Sequence, residues 1–177
     1  DGTVTPDDMY RYKKAAPDAT FGFYTGVNLG NFDLSLGARA MVGNYVYNNN
    51  LASQGVYDFV YNSSGGSGGG YLNNVDSQTE ALDINTPRYF SDHYVQDGSF
   101  LRIDHITAGY DFGNIGSAIS SFRLSITAQN PLLITGYDGI DPEIASRDVT
   151  TNSVGFGIDN NIYPRSRTFL LGLNVKF

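Results

Sequence analysis

Few side chains in this 177-residue chain are of a type that could do covalent chemistry. There is no Cys, which removes thiolate nucleophiles, thiolate metal ligands and disulfides. His93 and His105 are the two histidines, and neither sits in a spacing that marks a metal site. Asp104 precedes His105, but neighbours in an extended strand point to opposite faces. His105 is therefore expected to be a satisfied polar side chain, and no nucleophile-elbow pattern accompanies it. Asp138, Asp141 and Glu143 could offer oxygens to Ca²⁺, yet their spacing matches no EF-hand loop. Asp-Gly and Asp-Pro are also ordinary turn chemistry. Asp141 and Glu143 could pose as a glycosidase carboxylate pair, but they lie two residues apart on one loop with no sign of a cleft. The run Asn62-Ser63-Ser64-Gly65-Gly66-Ser67-Gly68-Gly69-Gly70 lacks the Lys-Ser/Thr ending and following helix of a phosphate-cradling loop. It reads as a flexible loop tip, with an engineered linker as the alternative. No catalytic residue, metal or cofactor is expected.

Composition points to strands and polar loops. The formal net charge is -7, from 11 Lys+Arg against 18 Asp+Glu. That balance argues against a nucleic-acid partner, which needs a basic patch. The acids are 16 Asp and 2 Glu, and Asp belongs to turns and caps rather than helix interiors. Gly (21), Tyr (13) and Phe (11) are abundant, and aromatic residues favour strands. No apolar run approaches the ~18 residues of a membrane-spanning helix. The chain opens at Asp1 without a signal-like segment, and a mature, processed or cut piece is expected.

Five segments alternate apolar and polar residues with the period of a strand. They are roughly 20–28, 32–42, 101–112, 122–130 and 168–177. In the second, Phe32, Leu34, Leu36, Ala38, Ala40 and Val42 share one face. In the third, Leu101 and Ile103 have the opposite parity to Ile106, Ala108, Tyr110 and Phe112, which a bulge, or a shift from one environment to another, would explain. In the fifth, Phe169, Leu171, Leu173, Val175 and Phe177 form the apolar face. The connections alternate between short (29–31 and 113–121) and long (43–100 and 131–167). Short turns on one side and long loops on the other are the pattern of a transmembrane β-barrel, and each strand is near the ~9–11 residues such a crossing needs. Aromatic rings settle at headgroup level. Phe32, Tyr110, Phe112, Phe122 and Phe177 would then mark the periplasmic ends, and Phe21, Tyr45, Tyr47 and Phe169 the outer ends. A soluble β-sandwich gives the same alternation and stays open as the alternative.

Three stretches carry a family resemblance. They are Asp97-Gly98-Ser99-Phe100-Leu101-Arg102-Ile103-Asp104-His105-Ile106-Thr107-Ala108-Gly109-Tyr110; Phe122 to Pro131 followed by Gly136-Tyr137-Asp138-Gly139-Ile140-Asp141-Pro142-Glu143; and Tyr163-Pro164-Arg165-Ser166-Arg167-Thr168-Phe169 running into Gly172 to Phe177. In this order they resemble the C-terminal end of a SusC-like TonB-dependent transporter of Bacteroidetes. The segment Lys14 to Phe23 is similar to a late barrel strand of that family. The glycine-rich part of the first long loop is not covered.

The resemblance implies an all-β fold, a transmembrane antiparallel up-and-down barrel of the 22-stranded type, to which this chain would supply about the last five strands. Five strands cannot close a barrel, and open edges are not tolerated in lipid. The expected organisation is an extracellular loop remnant (1–19), a barrel hairpin (20–42), a long extracellular loop (43–100), a second hairpin (101–130), another extracellular loop (131–167) and the C-terminal strand (168–177), with the C-terminus periplasmic. Asp33, Arg39, Arg123, Gln129, Asn174 and Lys176 would face the lumen or the plug. Phe169, Leu171, Leu173, Val175 and Phe177 would also form the signal read by the barrel-assembly machinery. The implied function is part of an outer-membrane importer of oligosaccharides or oligopeptides. The implied partners are the rest of the barrel and its plug, a SusD-like surface lipoprotein, the TonB complex through the missing N-terminal part, and the lipid bilayer with lipopolysaccharide. The alternatives are a cell-surface β-sandwich that binds glycans and a β-rich glycoside hydrolase fragment.

Overall fold

A computed structural model describes residues 6–54, 56, 91–147, 154–160 and 162–177. The glycine-rich run 62–70 lies outside the described residues. The chain divides into two compact units, one formed by 17–43, 98–142 and 163–177, the other by 1–16, 44–97 and 143–162.

The first unit is a five-stranded sheet. Its strands are β1 (Ala19–Leu29), β2 (Phe32–Val42), β5 (Phe100–Ile115), β6 (Ile119–Thr135) and β10 (Thr168–Lys176). They lie in the order β1-β2-β5-β6-β10, and every pairing is antiparallel. Gly30, at φ 61, turns β1 back into β2 within two residues. Cross-strand register puts apolar beside apolar along most of each rung on one face. Leu34 pairs with Val27 and Ala108, Ala108 with Ile126, and Ile126 with Leu171. One rung along, Leu36 connects Thr25 to Ile106, Ile106 meets Ala128, and Ala128 meets Phe169. Phe32 pairs with Tyr110, and Phe112 packs on both Tyr110 (4.7 Å between ring centroids) and Phe122 (5.4 Å), so these four aromatics gather at one end of the sheet.

A double irregularity resolves the parity conflict in β5. Against β2, Gly37 pairs with His105 and Ala38 with Ile103, so Asp104 is an extra residue. The bulge returns Ile103 and Leu101 to the face of Ile106, opposite Ala38 and Ala40. Against β6 the surplus is on the other strand: His105 pairs with Gln129 and Ile103 with Leu132, leaving Asn130 and Pro131 opposite Asp104. Asn130 takes φ 50 there. A bulge is where a strand tolerates a proline, which has no N–H to donate. The strand therefore runs through Pro131 to Thr135 rather than ending at Asn130.

The second unit is built from both long loops together. The strand β3 (Tyr45–Asn48) pairs antiparallel with β4 (Val95–Asp97) and parallel with β9 (Ile158–Asp159). A short helix α1 (Asn49–Gln54) follows β3, with the Asn48 side chain accepting from the Leu51 N–H. The hairpin β7 (Ala145–Arg147) and β8 (Val154–Phe156) completes the unit. Val46, Ala52, Val56, Tyr94 and Ile144 are buried. Tyr45 and Tyr47, expected at the outer ends of the barrel strands, belong instead to this unit. Val46 and Asn48 are its buried residues on β3, and Tyr47 packs edge-on against Tyr94 at 6.2 Å. A four-residue strand flanked by turn residues pairs with its own loop neighbours, which alternation alone does not reveal. Tyr10 donates to Asp92 over 2.8 Å, and that hydrogen bond raises its phenol above the ordinary value.

Candidate functional site: the polar face of the sheet

The strands leave two unlike faces. One carries the apolar rungs, and its large side chains stay exposed, among them Phe23, Ile126, Ile134, Phe169 and Leu171. The other is polar. By register, Asp33, Arg39, Arg123, Gln129, Asn174 and Lys176 all lie on that polar face, while Phe169, Leu171, Leu173 and Val175 lie on the apolar one.

Near the short turns, Arg123 clasps Asp33. Its Nη2 donates to Asp33 Oδ2 at 2.7 Å and Oδ1 at 2.9 Å, and its Nε donates to Oδ1 at 3.2 Å. Gly109 pairs with Asp33 on one side and Ser125 on the other, so the clasp passes over it. A Cβ at Gly109 would stand 2.5 Å from Asp33 Oδ1 and inside contact of the Arg123 guanidinium. Asp111 is opposite Arg123, with its own Oδ1 held by the Gly113 N–H at 2.8 Å.

At the other end of the sheet is a buried ionic junction. Arg102 Nη2 donates to Asp141 Oδ1 at 2.6 Å, and Nη1 donates to Asn130 Oδ1 at 2.7 Å. The Asn130 amide then donates to the carbonyl of Arg165 at 3.1 Å, and Arg165 Nε stands 3.8 Å from Asp141 Oδ2. Arg102 also lies over the Phe100 ring at 5.6 Å. Arg102 and Asp141 are 1% and 3% exposed. A charge so desolvated persists only when paired and hydrogen-bonded. The left-handed φ of Asn130 follows from its position in the bulge, from which its amide reaches both Arg102 and the returning chain.

Between these clusters a single rung crosses all five strands on the polar face: Tyr24, Gly37, His105, Gln129 and Thr168. The Tyr24 and His105 rings are 6.0 Å apart. Asp104 shares this face, bound to Arg39 Nε at 3.2 Å. The expectation that Asp104 and His105 point to opposite faces is thus corrected, because the bulge breaks the alternation between them.

Asp141 does not meet Asp138 and Glu143 as a metal site. It is committed to Arg102, and no cluster of three His, Cys, Asp or Glu occurs among the described residues. Arg102, Asn130, Asp141 and Arg165 were missed as a group by sequence reasoning. The available signal was that they stand in all three stretches quoted for the resemblance.

No family model matches the chain. It is 38% identical to the TonB-dependent receptor SusC of Bacteroides thetaiotaomicron over 99% of its own length and 17% of that protein's. To the TonB-dependent receptor P3 of Formosa agariphila it is 29% identical, over 99% of the chain and 18% of the relative. In structure it matches the RagAB peptide importer in its open-open state with a TM-score of 0.74 at 23% identity, covering all of this chain and 19% of that one. A second RagAB peptide transporter structure gives 0.73 with the same identity and coverage. The chain thus spans under a fifth of the length of these proteins. The sheet has the fold of a TonB-dependent transporter β-barrel, and along 99% of its length the chain is homologous to SusC and other TonB-dependent receptors.

Proposed function

We propose that this chain is the last five strands of an outer-membrane importer that takes up oligosaccharides or oligopeptides. The observation that carries this reading is the largely apolar face, aligned rung by rung across five antiparallel strands and exposed. A water-soluble sheet covers such a face with a second layer. Lipid makes that cover unnecessary, and the alternating polar face then lines the interior. The edges support the same reading. Among the described residues β1 and β10 each pair on one side only, and in a membrane each needs a neighbouring strand. The rest of the barrel is that neighbour.

On this reading Asp33, Arg39, Arg123, Gln129, Asn174 and Lys176 face the lumen or the plug. Residues 43–100 and 131–167 are extracellular, and the turns at 29–31 and 113–121 are periplasmic with the C-terminus. The strand ending at Phe177 doubles as the assembly signal. A SusD-like lipoprotein is the partner on the outer side, since RagAB and SusC are the kind of protein this chain resembles. Energy comes from the TonB complex through the part of the transporter before this chain, and the outer girdle meets lipopolysaccharide. The chain contributes wall and loops, with no covalent step assigned to it.

Fractionation tests the reading. The full-length protein is expected in the outer membrane, extractable only with detergent and migrating faster on gels before heating than after. Recovery of the full-length protein as a detergent-free soluble monomer would favour the β-sandwich binding module.

A further inference from the structure

We infer that the junction of Arg102, Asn130, Asp141 and Arg165 is a register lock, which fixes how the last three strands of the sheet pair as it assembles. The need for a lock lies in the sequence. Side chains alternate with a period of two, so a slip of one residue turns every apolar group to the wrong face, but a slip of two does not. Ala108 is opposite Ile126, and a slip of two sets it opposite Leu124 or Ala128. Thr107 is opposite Thr127, and the same slip sets it opposite Ser125 or Gln129. Leu171, which faces Ile126 from the other side, would likewise meet Leu124 or Ala128. Apolar still faces apolar, and polar still faces polar. Alternation therefore leaves β5, β6 and β10 with several nearly equivalent registers.

The junction tells these registers apart. Arg102 stands on β5, Asn130 in the bulge of β6, Asp141 beyond the end of β6 and Arg165 just before β10. Arg102 donates to Asp141 at 2.6 Å and to Asn130 at 2.7 Å, and the Asn130 amide reaches the carbonyls of Arg165 at 3.1 Å and Ser166 at 3.5 Å. A slip of two carries Arg102 about 7 Å along its partner strand, out of reach of both acceptors. The guanidinium is then buried without its counter-charge. That costs far more than the one ladder hydrogen bond forfeited if Pro131 leaves its bulge. Arg102 and Asp141 are buried by residues of this chain alone, so any further chain packed on the sheet only adds cover. The Arg39–Asp104 pair joins β2 to β5, and the Arg123–Asp33 pair joins β2 to β6. Neither reaches the chain entering β10. One consequence rests on the transporter reading: β10 would carry its register into the seam with the rest of the barrel, where strand stagger sets closure.

Disulfide trapping in the full-length protein tests the lock. This chain has no Cys, so an introduced pair has no competitor within it. Thr107→Cys with Thr127→Cys reports the native register, since the two hydroxyls meet at 2.9 Å. Thr107→Cys with Ser125→Cys, and Thr107→Cys with Gln129→Cys, report a slip of two in either direction. In the native register those partners are diagonal neighbours about 7–8 Å apart, too far for a disulfide. Linked peptides are quantified by mass spectrometry after oxidation of the folded protein. With the junction intact, only the native pair is expected to link. Arg102→Met with Asp141→Leu leaves no buried charge to betray a slip, and the slipped links are expected to rise roughly 10-fold or more. Arg102→Lys keeps the charge but loses the fork, and a smaller rise is expected. It decides the matter if the double variant does not assemble. Ile126→Ala weakens the same strand away from the junction and should leave the slipped links at the wild-type level. Slipped links unchanged in the junction variants that assemble overturn the lock, as do slipped links in the wild type. An equal rise in Ile126→Ala also overturns it, by assigning the register to general stability. A wild-type protein absent from the outer-membrane fraction overturns the transporter reading alone, because trapping reads the register in whichever fraction holds the folded protein.

Discussion

The sheet and the loop unit obey the hydrophobic effect in opposite senses. In the loop unit Val46, Ala52, Val56 and Tyr94 are between 0% and 1% exposed, as in any small water-soluble fold. In the sheet unit Phe169 and Leu171 are 74% and 68% exposed, and the largest fully buried side chain is the charged Arg102. A contiguous exposed apolar face marks a surface meant for another apolar phase. The two units bury opposite kinds of side chain, as folds suited to different solvents do. On the transporter reading proposed above, the long loops would carry a core of their own because they fold in water, while the wall would turn its polar groups inward and leave its apolar groups to lipid.

Removing one partner of the buried ion pair should disturb the sheet most. Asp141→Ala in the full-length protein leaves the Arg102 guanidinium buried with its main counter-charge gone. Breaking one partner of a buried pair costs ~3–5 kcal/mol. The double variant Arg102→Met with Asp141→Leu should cost less than Asp141→Ala alone, because no unpaired charge remains. Urea unfolding followed by gel migration measures both. A single variant as stable as the wild type would show that the junction is not held by charge pairing.

The next test exchanges the two faces of one strand. Leu36 and Ser35 are adjacent on β2 and lie on opposite faces, with Leu36 beside Thr25 and Ile106 and Ser35 beside Gly26 and Thr107. Arginine facing lipid at the midplane costs ~2–4 kcal/mol, and far less toward a polar interior. Leu36→Arg should therefore cut the yield of membrane-assembled protein well below that of Ser35→Arg. Equal yields would reverse the assigned facing.

A third substitution probes the loop unit. Val46→Ala removes two buried methyl groups, at ~0.8 kcal/mol each before any cavity cost. Protease cleavage within residues 43–100 should accelerate while the heat-dependent migration of the barrel is unchanged. A parallel loss in both would mean that the wall depends on the loop core.

How much of this was legible in the sequence depends on the range of the interactions. Alternation is local, so β2 was readable end to end, and β10 nearly so. The parity break at Leu101 and Ile103 left a bulge or a change of environment open, and the register settles it as a bulge. Pro131 misled because a proline reads as the end of a strand unless the partner strand shows a bulge opposite it. The junction of Arg102, Asn130, Asp141 and Arg165 joins residues up to 63 apart in sequence, and no local pattern encodes which Asp an Arg will find. Tyr45 and Tyr47 failed for a similar reason. Their partners come from β4 and β9, at the far ends of two different loops.

The smallest expected effect lies at Gly109, and it refines the comparison from inside the wall. The Asp33–Arg123 clasp crosses the sheet over a residue with no side chain. Gly109→Ala forces a methyl group into that crossing. The atoms it meets are the ends of flexible side chains, which can swing aside, so the cost is about 1 kcal/mol or less, at the low end for overpacking. The clasp itself is about a third exposed and screened, so its loss alone removes little stability. What should change is its geometry. Asp33→Asn keeps the backbone free of the methyl and removes only the charge. If Gly109→Ala and Asp33→Asn lower the unfolding midpoint by similar small amounts, and the two together by no more than either, both act through the clasp. Additive losses would assign Gly109 to close packing of the sheet, and the polar face would then be shaped by space as well as by charge.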